Sequence, residues 1–160
     1  MMMTRTYNID EIFALAEKIE RDGAEYYRRA AEFADTEEKK RRLEKLAEME
    51  LGHEQTFATM RADASGSNAV FDPDGEAARY LERIVDGRVF DYRSAPAAEL
   101  AGKSLVEIYR KAIDLEKDSI VFYLGIRDLV PEGRDRIEAI IREEMGHITL
   151  LSDELAALEQ

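Results

Sequence analysis

A four-residue pattern, Glu50-Leu51-Gly52-His53, returns 94 positions later as Glu144-Met145-Gly146-His147, and these two copies contain the only histidines in the chain. A second echo precedes each copy. Glu20-Arg21-Asp22-Gly23-Ala24-Glu25-Tyr26-Tyr27 aligns with Glu116-Lys117-Asp118-Ser119-Ile120-Val121-Phe122-Tyr123, sharing the glutamate, the aspartate and the last tyrosine in register. One helical hairpin used twice, related by an approximate internal two-fold axis, is the organisation this predicts.

The hairpins are helical because hydrophobic residues recur at intervals of three and four, and because the 160 residues hold only three prolines and nine glycines. Four long helices are expected. The first follows Asn8, whose side chain can cap while Glu11 reaches back, and runs to about Ala34. Thr36, followed by Glu37 and Glu38 at the positive end of the helix dipole, opens the second, which runs to about Arg61. Ser104 and Glu107 form another capping box for the third, which stops before Pro131, and the fourth covers about Arg134 to Leu158.

Between the second and third helices, roughly residues 62–103, lies a connection that opens as a loop, Ala64-Ser65-Gly66-Ser67-Asn68. Val70, Phe71, Tyr80, Leu81, Ile84, Val85, Val89, Phe90 and Tyr92 make it too apolar for a solvated tether, and Glu76 to Asp86 has the pattern of a short helix. A helix of about 26 residues is roughly 39 Å long, so a link returning the chain from one end of a bundle to the other must be of this size. The expectation is a single all-α domain over residues 1–160, a four-helix bundle with one long crossover.

The polar residues of the repeat fall where polar residues are expensive. At 100° per residue, Tyr27 lies about 20° around the helix from Glu20, in a stripe with Phe13, Ala16, Ala24 and Ala31. Glu116 sits among Tyr109, Ala112, Ile120 and Tyr123; Glu50 and His53 share a face with Leu43, Leu46 and Phe57; Glu144 and His147 share one with Ile137, Ile140, Ile148 and Leu151. Four glutamates and two histidines therefore point at one core. Unpaired carboxylates at close range repel or take up protons, so the set calls for cations, the alternative being a metal-free bundle whose buried polar groups pair only among themselves.

Two single glutamates and two Glu-x-x-His pairs projecting inward from four helices form the donor set of a dinuclear carboxylate site. Residues at i and i+3 share a face, so a carboxylate can bridge two metals while its imidazole binds one. Each metal then has one terminal glutamate, one histidine and a share of two bridging carboxylates. Tyr27 and Tyr123 are either hydrogen-bond donors to a ligand carboxylate or to the opposite metal position, with redox activity open to them there, or core tyrosines with one satisfied hydroxyl. Gly52 and Gly146 are expected to allow close helix approach beside the site. Glu48, Glu54 and Glu143 flank the pairs, where solvated helix faces account for charge equally well, and Met49, Met60 and Met145 read as gap-filling core residues.

Composition removes the competing classes. A net charge of −12 repels phosphate backbones and anionic headgroups, so neither nucleic acid nor a membrane surface is an expected partner. No stretch approaches eighteen apolar residues, and Met1-Met2-Met3-Thr4-Arg5 leads into polar sequence; a soluble, cytoplasmic protein is expected. The absence of cysteine removes thiolate metal sites, iron–sulfur clusters and cysteine nucleophiles together.

On these residues the chain resembles the ferritin-like superfamily, and within it the rubrerythrin-like branch. Ile19-Glu20-x-Asp22-Gly23-x-x-x-Tyr27, Glu50-x-x-His53, Tyr80-Leu81 through Val89-Phe90, Glu116-x-Asp118-Ser119-Ile120-x-Phe122-Tyr123 and Glu144-x-x-His147 occur in the family's order over nearly the whole chain. The resemblance implies a ferritin-like bundle around a non-haem di-iron site that reduces hydrogen peroxide or oxidises ferrous iron with O2, often as a homodimer. Carried over by position, Glu20 and Glu116 look like terminal ligands, Glu50 and Glu144 like bridges, and His53 and His147 like nitrogen ligands. Two irons are the implied cofactor, with manganese as the alternative. Rubrerythrins proper carry a further carboxylate where this chain has Ser119, so the six-ligand set looks closer to a ferritin-type ferroxidase centre. They also usually append a cysteine-rich rubredoxin domain; without cysteine, electrons must come from a separate donor protein. The alternative function is iron binding and storage without turnover.

Overall fold

A computed structural model describes residues 8–64, 74–85 and 95–160. The described residues are all-helical, with five α-helices among them: α1 Ile9–Ala31, α2 Glu37–Asp63, α3 Glu76–Val85, α4 Leu105–Arg127 and α5 Arg134–Leu158. Short 3₁₀ turns at Pro96–Glu99 and Pro131–Gly133 lead toward α4 and α5.

The helices begin where side chains can satisfy free backbone N–H groups. Asn8 accepts from the Glu11 amide while Glu11 bonds back to Asn8, and Ser104 and Glu107 do the same at α4. Thr36 caps α2 through the Lys39 amide. The ends differ slightly from the expected ones. α1 stops at Ala31, three residues before Ala34, and α4 stops at Arg127, because the chain turns through Asp128 and the Pro131 3₁₀ turn to start α5.

The closest pairings are α1 against α2 and α4 against α5, the two hairpins of the repeat, and α1–α4 and α2–α5 contacts join them. α3 lies against α4. Leu81 and Ile84 are buried there, and Tyr80 donates to the Val121 carbonyl at 2.6 Å. Of the crossover's apolar residues, Val70, Phe71, Val89, Phe90 and Tyr92 lie outside the described residues, as does the loop at 65–68. No helix among the described residues is long and apolar enough to cross a membrane.

The core divides into two apolar clusters. One gathers Phe13, Phe57, Phe122, Tyr123, Ile126 and Ile137; the other gathers Tyr26, Tyr27, Leu43, Leu46, Tyr109 and Leu151. Along each long helix the glutamate and histidine positions fall between residues of the two clusters, such as Ala16 and Tyr27 around Glu20. A polar layer is thus closed off by hydrocarbon at both ends.

Candidate metal centre

Each of the four long helices delivers its polar residues into that layer because they occupy its apolar stripe. Glu20, Glu50, His53, Glu116, Glu144 and His147 are all between 0% and 4% exposed. They form two overlapping groups. Glu20, Glu50, His53 and Glu144 make one, and Glu50, Glu116, Glu144 and His147 the other, with donor atoms in each lying within 4.8 Å of one another. Glu50 and Glu144 belong to both, as expected of bridging carboxylates. All six expected donors are therefore brought together, and either group can hold a metal ion.

The test of fit is where the unsatisfied atoms point. Glu20 Oε2, Glu50 Oε1, Glu116 Oε2, both Glu144 oxygens and Nδ1 of both histidines are buried without a well-aligned hydrogen bond among the described residues, although each Nδ1 faces carboxylate oxygens at 2.8–3.4 Å. Buried polar atoms are nearly always paired, and leaving one unpaired costs on the order of 1–3 kcal/mol. Seven in one layer, all carboxylate oxygens and imidazole nitrogens, are a donor set for hard or borderline divalent cations.

Electrostatics carry the same signature. Burial, reinforced by Glu20, Glu116 and Glu144, pushes the Glu50 carboxyl well above its usual range. Burial beside Glu144 raises Glu116 to about 8, although His147 opposes it. Burial works against charged imidazoles, but the carboxylates outweigh it, through Glu144 and Glu20 for His53, raised to about 11, and through Glu116 and Glu144 for His147, raised to about 9. Without metal, protons supply the compensating charge. Two divalent cations would replace them, since four ionised glutamates carry four negative charges.

The two tyrosines are buried and also bonded to candidate donors. Tyr27 of α1 donates to Glu116 Oε1 of α4, and Tyr123 of α4 donates to Glu20 Oε1 of α1. Each is a core tyrosine whose one satisfied hydroxyl reaches the carboxylate of the opposite group. Burial and the nearby glutamates hold both hydroxyls far above their usual pKa, so both remain donors. The bond occupies Oε1 of Glu116 and of Glu20 and leaves Oε2 of each without an aligned hydrogen bond. The reciprocity, and the His53 and His147 rings stacked at 5.9 Å, reflect the internal repeat.

Three expectations need correction or addition. Gly52 and Gly146 do not permit close helix approach: a Cβ on either would meet nothing within 4 Å. The close approach belongs to Gly23, where a Cβ would lie 3.3 Å from Glu50 Oε2. Met145 is not a core residue but 55% exposed, because one residue past Glu144 is 100° around the helix. Glu143, read from the sequence as a flanking charge on a solvated face, is half exposed yet brings its Oε2 to 2.5 Å from His53 Nε2, and Glu154, which the sequence reading passed over, is buried and paired with Arg42 across α2 and α5. Glu154 follows His147 by seven residues, so the same stripe rule that found Glu144 applies to it. Glu143 sits at a stripe's edge, where angle alone does not separate a neighbouring helix from solvent.

Compared with models of protein families, with curated proteins and with solved structures, the chain finds no match. What fold and site define is a class: an all-helical protein with a buried glutamate–histidine centre able to hold metal.

Proposed function

We propose that the chain is a ferritin-like four-helix bundle of the rubrerythrin-like type, acting as a non-haem di-iron oxidoreductase on hydrogen peroxide or O2. The observation that carries this reading is the convergence, from four helices on one buried layer, of seven donor atoms that make no well-aligned hydrogen bond among the described residues. Glu20 and His53 would serve one metal and Glu116 and His147 the other, both through Nδ1, with Glu50 and Glu144 shared. Ferrous ions bound there would supply two electrons to an O–O bond, which with two protons converts peroxide to two waters, and a separate donor protein would restore the electrons.

The chain's own work is positional. Tyr27 and Tyr123 hold the outer oxygens of Glu116 and Glu20, so each terminal carboxylate presents its second oxygen inward. The two apolar clusters exclude bulk water from the layer, which strengthens every charge interaction inside it. Four glutamates would balance the charge of two dications, leaving the layer neutral.

Anaerobic loading with ferrous iron, followed by mixing with peroxide or O2, tests the proposal. Binding of two irons per chain and oxidation much faster than that of free iron are expected. Glu50→Ala should abolish the fast phase, and His147→Ala should lower the stoichiometry. Oxidation at the rate of free iron would sink the enzymatic reading, and uptake far beyond two irons per chain would favour storage.

A further inference from the structure

The two halves of the centre are unequal, and the difference lies just outside the six donors. His53 turns Nδ1 inward, 2.8 Å from Glu144 Oε1, and its Nε2 lies 2.5 Å from Glu143 Oε2. His147 also turns Nδ1 inward, 3.1 Å from Glu50 Oε1. Its Nε2, however, is buried with no hydrogen-bond partner among the described residues. The repeat explains why: the 94-residue offset that places His147 on His53 places Glu143 on Met49. Met49 lines the same recess between α2 and α5 as His147, and a thioether is only a weak acceptor.

An imidazole that donates one ring N–H to a carboxylate has its tautomer and orientation fixed, and the opposite nitrogen becomes a better metal ligand. Donation from His53 Nε2 to Glu143 places the lone pair on Nδ1, facing Glu20 and Glu144. Glu143 is not itself a donor to the centre, because the imidazole stands between its carboxylate and the inward-facing atoms. No carboxylate fixes His147 in the same way.

We propose that Glu143 is a positioning residue that makes the two metal positions inequivalent. The position built on Glu20 and His53 takes a divalent cation before, and more tightly than, the one built on Glu116 and His147. This rests on the dinuclear reading above. Outer partners of this kind typically change affinity ~10–100-fold. The Glu143 side chain is 52% exposed, so water competes with it and the lower end applies, about tenfold.

Cobalt(II) titration of the metal-stripped protein, followed by calorimetry and the visible spectrum, tests this. The native chain should fill in two one-equivalent steps. Glu143→Ala should weaken the first step about tenfold and merge it with the second, while Glu143→Gln, whose amide oxygen still accepts, recovers most of the loss. Met49→Gln, which gives His147 an acceptor, should strengthen the second step. In the cobalt-loaded protein the paramagnetically shifted ring N–H proton of His53 should exchange slowly with solvent, and Glu143→Ala but not Glu143→Gln should remove that protection. Two equivalents bound in indistinguishable steps, or a Glu143→Ala variant with both steps and the ring proton unchanged, would overturn the proposal while leaving the dinuclear centre standing. Failure of the native chain to bind two equivalents would overturn both.

Discussion

Glu50 is the residue where the cost of the centre is most concentrated. It is shared by both donor groups, it is 3% exposed, and three other glutamates surround it. At pH 8, in the metal-free protein, its charge is opposed by burial first and by those neighbours second. Glu50→Gln keeps the shape, removes the charge and offers an amide donor to an adjacent carboxylate. The metal-free variant should therefore be more stable than the native chain, the reverse of what a core substitution ordinarily does. Denaturant midpoints in the presence of chelator would show it. The same variant should lose affinity at both metal positions, because the lost oxygen was common to them. A destabilised metal-free variant would mean that Glu50 is satisfied by something other than metal. All six donors were legible in the sequence at this scale, since a charged residue in an apolar stripe has only one direction to point. Glu143 was not, because its partner sits on another helix 90 residues away, and nothing in α5 alone says which edge α2 will cover.

Among the elements, glycines separate positions that tolerate a side chain from those that do not. A helical glycine costs about 1 kcal/mol relative to alanine when nothing else depends on it. At Gly52 and Gly146 a Cβ enters open space, so Gly52→Ala and Gly146→Ala should each raise stability by about 0.5–1 kcal/mol without altering metal stoichiometry. At Gly125 the outcome reverses. A Cβ there would sit 2.7 Å from Leu81 Cδ2 and 2.7 Å from Tyr80 Cδ1, and Tyr80 is anchored by its bond to the Val121 carbonyl. Overpacking typically costs about 1–3 kcal/mol, so Gly125→Ala should be net destabilising, with α3 the first element to loosen. Thermal melts of the three variants, with hydrogen exchange at α3, would check the signs; stabilisation by Gly125→Ala would mean that α3 does not rest on α4 as described. The long helices and their caps were readable locally, because capping and periodicity are properties of consecutive residues. Which glycine meets another chain segment is not, since that depends on a residue of another helix, 27 positions away for Gly23 and Glu50.

At the scale of the whole molecule, the buried layer makes stability depend on pH with an unusual sign. Folding raises Glu116 to about 8 and both histidines from an ordinary 6.5 to about 9 and 11, and it raises Glu50 as well. Each of these groups binds protons more tightly folded than unfolded, so folding takes protons up and stability falls as pH rises. The histidine contributions are complete below pH 6.5 and disappear as pH climbs through 9 and then 11. The Glu116 penalty is absent near pH 4.5 and is nearly complete once pH passes about 8, and Glu50 adds a penalty of the same sign. Between pH 6 and 9 surface carboxylates are already ionised and the chain has no other histidine or any cysteine, so the buried layer dominates the slope. Metal binding substitutes for the protons and must displace them, so affinity rises with pH. The melting temperature of the metal-free protein should therefore drop from pH 6 to pH 9, while that of the protein saturated with manganese(II) stays nearly level. The gap between them widens with pH because mass action by the cation stabilises only the folded state. A gap that narrowed or stayed constant would mean the six donors are neutralised by one another rather than by metal, and the case for a catalytic centre inside these helices would go with it.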